Sequence, residues 1–405
     1  MEMRGSDINL RHLRAFNAVC DFGGISAAAG TVHLSQPAIT QAISKLERDF
    51  DVRLFRRSNK GMFPTEAAEI LRHRVRRAFA LLADGAAYPS RKDHIDSGYL
   101  SAVTSTQLRA LIAVATHGNY SVAARAVGVS QPSLHRAARD LEALAGVPLY
   151  VKSAQGISLT SAAEILVRGA KLAFAELDQA TEELSEIKGA KAGLLRIGSL
   201  PLSLGTILPE AVNRITAARP NLKVSVVDAP FAELLYALRN GDLDLTLGAL
   251  RTPTPAPDVI QEPLFDDRLC IVCAPDHPLQ TNSQISKEHL PGFPWVVARG
   301  KTPTRAHFDH FFQGLAPAVT GPTIESNSMI LVRRVLEGSN KLAMISLTQA
   351  TEHLRARTLL RLPIDLGDTP RTIGITYRQD WKPTNAQKAF MDVIRNVAKT
   401  LHDFS

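Results

Sequence analysis

The 405-residue sequence predicts a multidomain protein: two α-rich winged helix-turn-helix domains, each with a long linker helix, and then a two-lobed α/β domain. Three observations carry this expectation. Residues 13–71 and 108–166 align without a gap at an offset of 95, and a period that long marks a duplicated domain rather than a solenoid repeat. Each copy holds a helix-start signal, Ser35-Gln36-Pro37 and Ser130-Gln131-Pro132, ahead of an apolar stripe at helical spacing. From Gly193 the period changes to apolar runs alternating with amphipathic stretches, the pattern of strand and helix units built on a parallel sheet.

The first domain, residues 8–84, opens with a helix near 10–22 carrying Leu13, Phe16 and Val19 on one face, and a second helix begins at Ser26. In the third helix Ser35 caps the free N–H groups, and Pro37 falls in the first turn, where a missing N–H costs nothing. Ile39, Ile43, Leu46 and Phe50 mark its buried face. Gln36, Thr40, Gln41, Ser44, Lys45 and Arg48 are left outward. Amides and hydroxyls pair with base edges, and cations with guanine or phosphate. Double-stranded DNA is therefore the expected partner, with Ser35, Gln36, Pro37, Thr40, Gln41, Ser44 and Lys45 as contact residues. A hairpin follows: Arg53-Leu54-Phe55-Arg56-Arg57, a turn at Ser58-Asn59-Lys60-Gly61, and a return through Met62-Phe63. This wing sets Arg56 and Arg57 against the sugar-phosphate backbone. Thr65 caps a basic linker helix holding Arg72, Arg74, Arg76 and Arg77.

Residues 85–104, rich in Gly, Ser, Asp and Pro around Tyr88-Pro89-Ser90, read as a connector. The second domain, residues 105–188, repeats the plan. Leu134, Ala138, Leu141 and Ala145 form the buried stripe, and Ser130, Gln131, Ser133, His135, Arg136 and Arg139 are the expected DNA contacts. Its wing runs through Leu149-Tyr150-Val151-Lys152, turns at Ser153-Ala154-Gln155-Gly156, and offers Lys152 to phosphate. Residues 8–65 carry a net charge of +4 and residues 105–160 one of +3, so both suit a polyanion. The second linker helix, capped by Thr160, is acidic, with Glu176, Asp178, Glu182, Glu183 and Glu186. That charge suits subunit packing better than DNA.

Residues 192–405 form the two-lobed domain, with lobe I at about 192–268 and 368–405 and lobe II at about 269–367. Strands are expected at 194–198, 224–227 and 243–248, then at 269–273, 295–297, 323–325 and 342–345, with 372–377 returning to the first lobe. Ligands of such sheets sit at strand C-terminal ends, where helix N-termini offer bare N–H groups to a carboxylate. That selects Pro201, Leu202, Ser203 and Phe231 from one lobe and Arg299, Thr302 and Asn327 from the other. Arg299 suits an acid and Phe231 an apolar body, so a small carboxylic acid is the expected ligand.

The recurring frame comprises Ala28-Ala29 and Ala123-Ala124, Ser-Gln-Pro, Leu46-Glu47 and Leu141-Glu142, Leu54-Phe55-x-Arg57, and Thr65 and Thr160 before Ala67-Ala68 and Ala162-Ala163. It resembles the N-terminal domain of LysR-type transcriptional regulators. The remainder resembles the effector domain of the same family, which shares its fold with periplasmic solute-binding proteins, and Asp242-Leu243-Asp244 and His277-Pro278-Leu279 fall where that family has similar residues. The duplication departs from the family's single such domain. So do Lys152 in place of a wing arginine and Ala68 and Ala163 in place of a glycine. The resemblance implies a transcriptional regulator that responds to a small-molecule co-inducer, forms a homodimer or homotetramer with the linker helix as the usual dimer contact, and works with RNA polymerase.

Other classes are disfavoured. No apolar run approaches the ~20 residues of a membrane-spanning helix, and the N-terminus lacks the apolar core of a signal peptide, so a cytoplasmic protein without membrane attachment is expected. The three cysteines are no disulfide framework. Cys270-x-x-Cys273 lies in a predicted strand, where residues three apart face opposite ways, so no metal site is assigned. The sequence holds no phosphate loop, His-Glu-x-x-His or nucleophile elbow, so no enzyme, catalytic residue or cofactor is expected. The alternative is a cytoplasmic solute-binding protein in which one or both helix-turn-helix units serve as protein-interaction modules.

Overall fold

The computed structural model describes residues 4–58, 61–86, 98–153, 156–189, 193–281, 285–314, 323–367, 369 and 371–402. The turn residues Asn59, Lys60, Ala154 and Gln155 and the connector residues Tyr88, Pro89 and Ser90 lie outside the described residues, as does the side chain of Arg57.

The first head contains α1 (Leu10–Phe22), α2 (Ile25–Val32), α3 (Gln36–Phe50) and the hairpin β1 (Phe55–Ser58) and β2 (Gly61–Pro64), followed by the linker helix α4 (Glu66–Ala86). A short helix, α5 (Tyr99–Ala102), precedes the second head: α6 (Ser105–His117), α7 (Tyr120–Ala126), α8 (Gln131–Ala145), the hairpin β3 (Tyr150–Ser153) and β4 (Gly156–Leu159), and the linker helix α9 (Ser161–Ile187). The caps explain the bounds. The Ser35 and Ser130 hydroxyls accept from the N–H groups of Ala38 and Ser133, and Thr65 and Thr160 do the same for Ala68 and Ala163. Helices α1 and α6 both end on a glycine in left-handed conformation, Gly23 and Gly118, where a side chain would be strained. The region read as a connector is partly structured, since α5 buries Tyr99 completely and Val103 behind it.

The two heads are not beads on a string. Leu10, Leu13, Ile39, Leu54 and Leu82 of the first half join Leu108, Leu141, Leu166, Leu177 and Leu184 of the second in one hydrophobic core. Helices α4 and α9 pack along each other. The buried Arg74 guanidinium donates to Glu176 (2.8 Å), Gln179 (2.6 Å) and Glu183, and Arg77 to Glu176 (2.9 Å). The acidic linker helix, expected at a subunit contact, instead meets the basic one of its own chain.

The α/β part has two sheets. Lobe I orders its strands as β6 (Leu222–Asp228), β5 (Gly193–Ser199), β7 (Leu245–Ala249), β14 (Arg371–Arg378) and β8 (Val259–Asp267), with helices α10 (Pro201–Leu204), α11 (Ile207–Ala218), α12 (Phe231–Arg239) and α16 (Asn385–His402). Lobe II orders β11 (Thr323–Glu325), β10 (Trp295–Val297), β12 (Leu342–Ser346), β9 (Leu269–Cys273) and β13 (Leu360–Arg361), with α13 (Pro303–Phe311), α14 (Met329–Leu336) and α15 (Leu347–Arg355). The sheets are mixed rather than parallel throughout: β14 runs antiparallel to β7 and β8, and β9 antiparallel to β12 and β13. Strand β8 was not foreseen. It is an edge strand whose Pro263 sits where the register slips opposite Gly374, and proline inside an apolar run masks a strand unless it lies at an edge or bulge. On β9, Cys270 and Cys273 enter different hydrophobic clusters, on opposite faces.

Candidate DNA-binding and effector-binding sites

On α3 the stripe Ile39, Ile43, Leu46 and Phe50 is buried, and on α8 so is Leu134, Ala138, Leu141 and Ala145. The opposite face of α3 exposes Ser35, Gln36, Pro37, Gln41, Ser44 and Lys45, with Thr40 half-buried. On α8 it exposes Ser130, Gln131, Ser133, His135, Arg136 and Arg139. Several of these side chains are held locally. Thr40 donates to the Gln36 carbonyl (3.0 Å), Lys45 pairs with Asp49 (2.6 Å), and Gln131 accepts from Ser121 (2.9 Å). Arg139 pairs with Glu142 (2.6 Å), and His135 lies edge-on to Tyr120. Gln36, Gln41, Ser44 and Arg136 lie exposed along the same surfaces. In the wings Arg56 and Lys152 are exposed, and Arg57 lies on β1.

The glutamate that recurs in each head joins its recognition helix to its wing. Glu47 accepts from the N–H groups of Leu54 (2.8 Å) and Phe55 (3.4 Å); Glu142 accepts from those of Leu149 (2.8 Å) and Tyr150 (3.3 Å). Each ties its recognition helix to its wing, so helix and hairpin present one surface. Although burial favours its neutral form, these N–H donors and Arg139 hold the Glu142 carboxyl below its ordinary pKa. Thr65 and Thr160 close the same joint, donating to the carbonyls of Arg53 (2.6 Å) and Pro148 (2.8 Å). The recurrence of Leu-Glu in both copies was the available signal.

The expected effector residues lie at strand C-terminal ends in both lobes. Pro201, Leu202 and Ser203 form α10 beyond β5, and Phe231 opens α12 beyond β6. The Leu202 side chain is packed into the lobe I core, so it offers backbone rather than side chain. Ser203 is fully buried, its hydroxyl without a protein partner among the described residues. Beyond β7, Arg251 lays its guanidinium over the Phe231 ring at 4.6 Å, and burial lowers its pKa. No local pattern in the sequence marks this cation as a neighbour of Phe231. In lobe II the Arg299 N–H donates to Asn327 (3.0 Å), while Thr302 donates to the Arg299 carbonyl (2.8 Å) and caps α13. These three residues therefore form one cluster beyond β10 and β11. Among the described residues no hydrogen bond joins this cluster to the lobe I set.

At the crossover between lobes, the fully buried Asp267 carboxylate accepts from Arg371, Ser346 (2.8 Å) and Thr348 (2.6 Å), and Arg371 donates to Thr304 (2.6 Å). One ion pair on the two connecting strands thus holds residues at the roots of α13 and α15. A cavity of about 480 Å³ lies in lobe II, lined in part by Lys287, His307, His310 and Thr369. Among the described residues no cluster of His, Cys, Asp and Glu has metal-holding geometry, and no helix is long and apolar enough to cross a membrane.

Comparison with known sequences agrees with this architecture. Residues 188–399 match the LysR substrate binding domain, and residues 10–69 and 105–164 each match the bacterial regulatory helix-turn-helix protein, lysR family. The HTH-type transcriptional regulator GalR of Pseudomonas putida is 32% identical over 96% of this chain and 97% of its own length. The HTH-type transcriptional regulator PcaQ of Agrobacterium fabrum is 29% identical over 73% of this chain and 95% of its own. Full-length OxyR of Pseudomonas aeruginosa, at 22% identity, superposes with a TM-score of 0.55 over 74% of this chain and 95% of its own, and so shares the fold. The two sequence relatives, GalR and PcaQ, are transcriptional regulators. The chain belongs to the LysR family of transcriptional regulators, with a helix-turn-helix region followed by an α/β effector-binding domain.

Proposed function

We propose that both helix-turn-helix heads contact DNA and that the ligand of the effector domain is a small carboxylic acid. The single observation behind the first part is the repeated exposed polar face of α3 and α8, each bonded to its wing through Glu47 or Glu142. In this reading Gln36, Gln41, Ser44, Arg136 and Arg139 address base edges, and Arg56, Arg57 and Lys152 address phosphates. Support for the second part comes from Arg251 stacked on Phe231 in one lobe and Arg299 beside Asn327 in the other. A carboxylate meets guanidinium, and the ring covers an apolar body. Ligand differential affinity for two lobe arrangements shifts their populations. The protein acts in the cytoplasm, without a cofactor, as a homodimer or homotetramer that engages RNA polymerase.

The test is binding of the full chain to duplexes selected from a random library, across a salt series. Gln36→Ala relaxes sequence choice, whereas Arg57→Ala weakens binding to every duplex and lowers the salt slope by about one. Failure to enrich any sequence at moderate salt refutes the DNA reading. For the ligand, small carboxylates raise the melting temperature and their primary amides do not, and Arg251→Ala abolishes the difference. Equal shifts by acid and amide refute the acid.

A further inference from the structure

The contacts between the two heads are reciprocal. Gly85 of α4 lies against Gly169 of α9 so closely that a Cβ on either would meet the other's Cα at 3.2 or 3.1 Å. The equivalents of 169 and 85 at the offset of 95 are residues 74 and 180, and Arg74 bonds Gln179 at 2.6 Å. This is the same crossing seen from the other side, with the helices antiparallel. Arg14 of α1 donates to the carbonyls of Leu100 (2.9 Å) and Val103 (2.7 Å). Its equivalent, Arg109 of α6, reaches Asp7 (3.3 Å), whose own equivalent is residue 102. The segment ahead of each head packs on the linker helix of the other: the Gly5 N–H donates to Asp178 of α9 (2.6 Å), and α5 packs against α4. Two copies of one fold with reciprocal contacts are related by a twofold rotation.

We infer that a single chain is the complete DNA-reading pair, spanning both arms of one inverted operator whose two arms differ in sequence. This rests on the proposed contact of both heads with DNA. A twofold between recognition helices addresses inverted half-sites on one face of the duplex, separated by whole helical turns. The twofold holds for the frame and fails on the reading surface. Gln36 recurs as Gln131, but Thr40, Gln41, Ser44 and Lys45 are replaced by His135, Arg136, Arg139 and Asp140. Arginine favours guanine, whereas glutamine favours adenine, so the arm under α8 is the richer in guanine. The face of α4 expected to recruit a second chain is already covered by α9.

The experiment reads the sequences enriched by the full chain from a random duplex library, and the mass of the complex on the minimal enriched duplex. Expected are two inverted arms of unequal sequence and two arms per bound chain, however many chains assemble. Gln41→Ala then flattens the preference in one arm only, and Arg136→Ala in the other only, each by about tenfold at one or two base pairs. Both side chains are exposed, and unchanged thermal unfolding of the two variants confirms that the fold is intact. One arm per chain, an exact palindrome, or both substitutions acting on the same arm overturns the inference and leaves DNA reading standing. Enrichment of no sequence removes DNA reading as well.

Discussion

The first head and the second share a frame bonded alike down to single side chains, yet they differ at four of the positions that face outward on the recognition helix. Glu47 and Glu142 accept the same pair of backbone N–H groups, and Met62 and Ile157 donate to the carbonyls of Gly23 and Gly118. The outward set of Thr40, Gln41, Ser44 and Lys45 becomes His135, Arg136, Arg139 and Asp140. What joins helix to wing was kept, while outward residues held only by local contacts, such as Thr40 on the Gln36 carbonyl and Arg139 on Glu142, diverged. The linker helices differ in another way. Arg74 of α4 stands at the position of Gly169 in α9, and Arg74 and Arg77 reach the carbonyls of Lys382 (2.9 Å) and Asp380 (2.7 Å) in the effector domain. Helix α9 lies along that domain through Arg168 with Asp258, Lys171 with Asp242, Asp178 with Arg196 and Glu186 with Arg219. Lobe I is thus bonded directly to both linker helices, to α9 through four ion pairs and to α4 through Arg74 and Arg77.

Four substitutions break or sharpen this comparison. The largest effect is expected of Arg74→Ala. It takes the guanidinium from Glu183 and leaves Glu176 to Arg77 alone, at a buried seam that in the second copy needs only Gly169, and removing one partner of a buried pair costs about 3–5 kcal/mol. Urea unfolding measures it; a loss below about 1 kcal/mol, the value of an exposed pair, would show that the seam does not depend on this residue. Next, Glu47→Ala and Glu142→Ala each leave two backbone donors unmet, at a cost of about 1–3 kcal/mol. Equal losses in denaturant midpoint support equivalent frames, whereas a loss confined to one head breaks the equivalence.

The smallest effect concerns pH. Burial raises the Glu182 carboxyl to about 8; Asp244 and Asp178 push in the same direction, and Arg196 and the Leu194 N–H oppose them. A carboxyl whose folded pKa is raised binds its proton more tightly when folded, so its contribution is fully present below its unfolded value. That contribution is lost as pH rises from there through about 8. The urea midpoint is expected to fall across that window, and Glu182→Gln to flatten the slope. An unaltered slope would place the titration elsewhere.

Much of the heads was legible because its determinants are local. Ser35 with Pro37 and Ser130 with Pro132 announce helix starts within one turn, and the apolar stripes declare their faces by period. Lobe strands such as Leu269–Cys273 were legible as apolar runs, but β8 was not, because Pro263 interrupts it. Among the candidate ligand residues, position in a loop after a strand could be read, whereas burial could not: Leu202 turned inward to the core, and Arg251 found the Phe231 ring.

By itself the sequence determined that this protein has a duplicated helix-turn-helix head and a two-lobed α/β domain, since repetition, capping and period are properties of neighbouring residues. Only the tertiary structure decided that the two heads face each other across α4 and α9. The partners of Arg74 are about a hundred residues away along the chain, and charge of opposite sign on two helices fits a contact within one molecule as well as one between two. Which of these is realised depends on shape, on Gly85 meeting Gly169 closely enough to let the helices cross, and no local pattern carries that information.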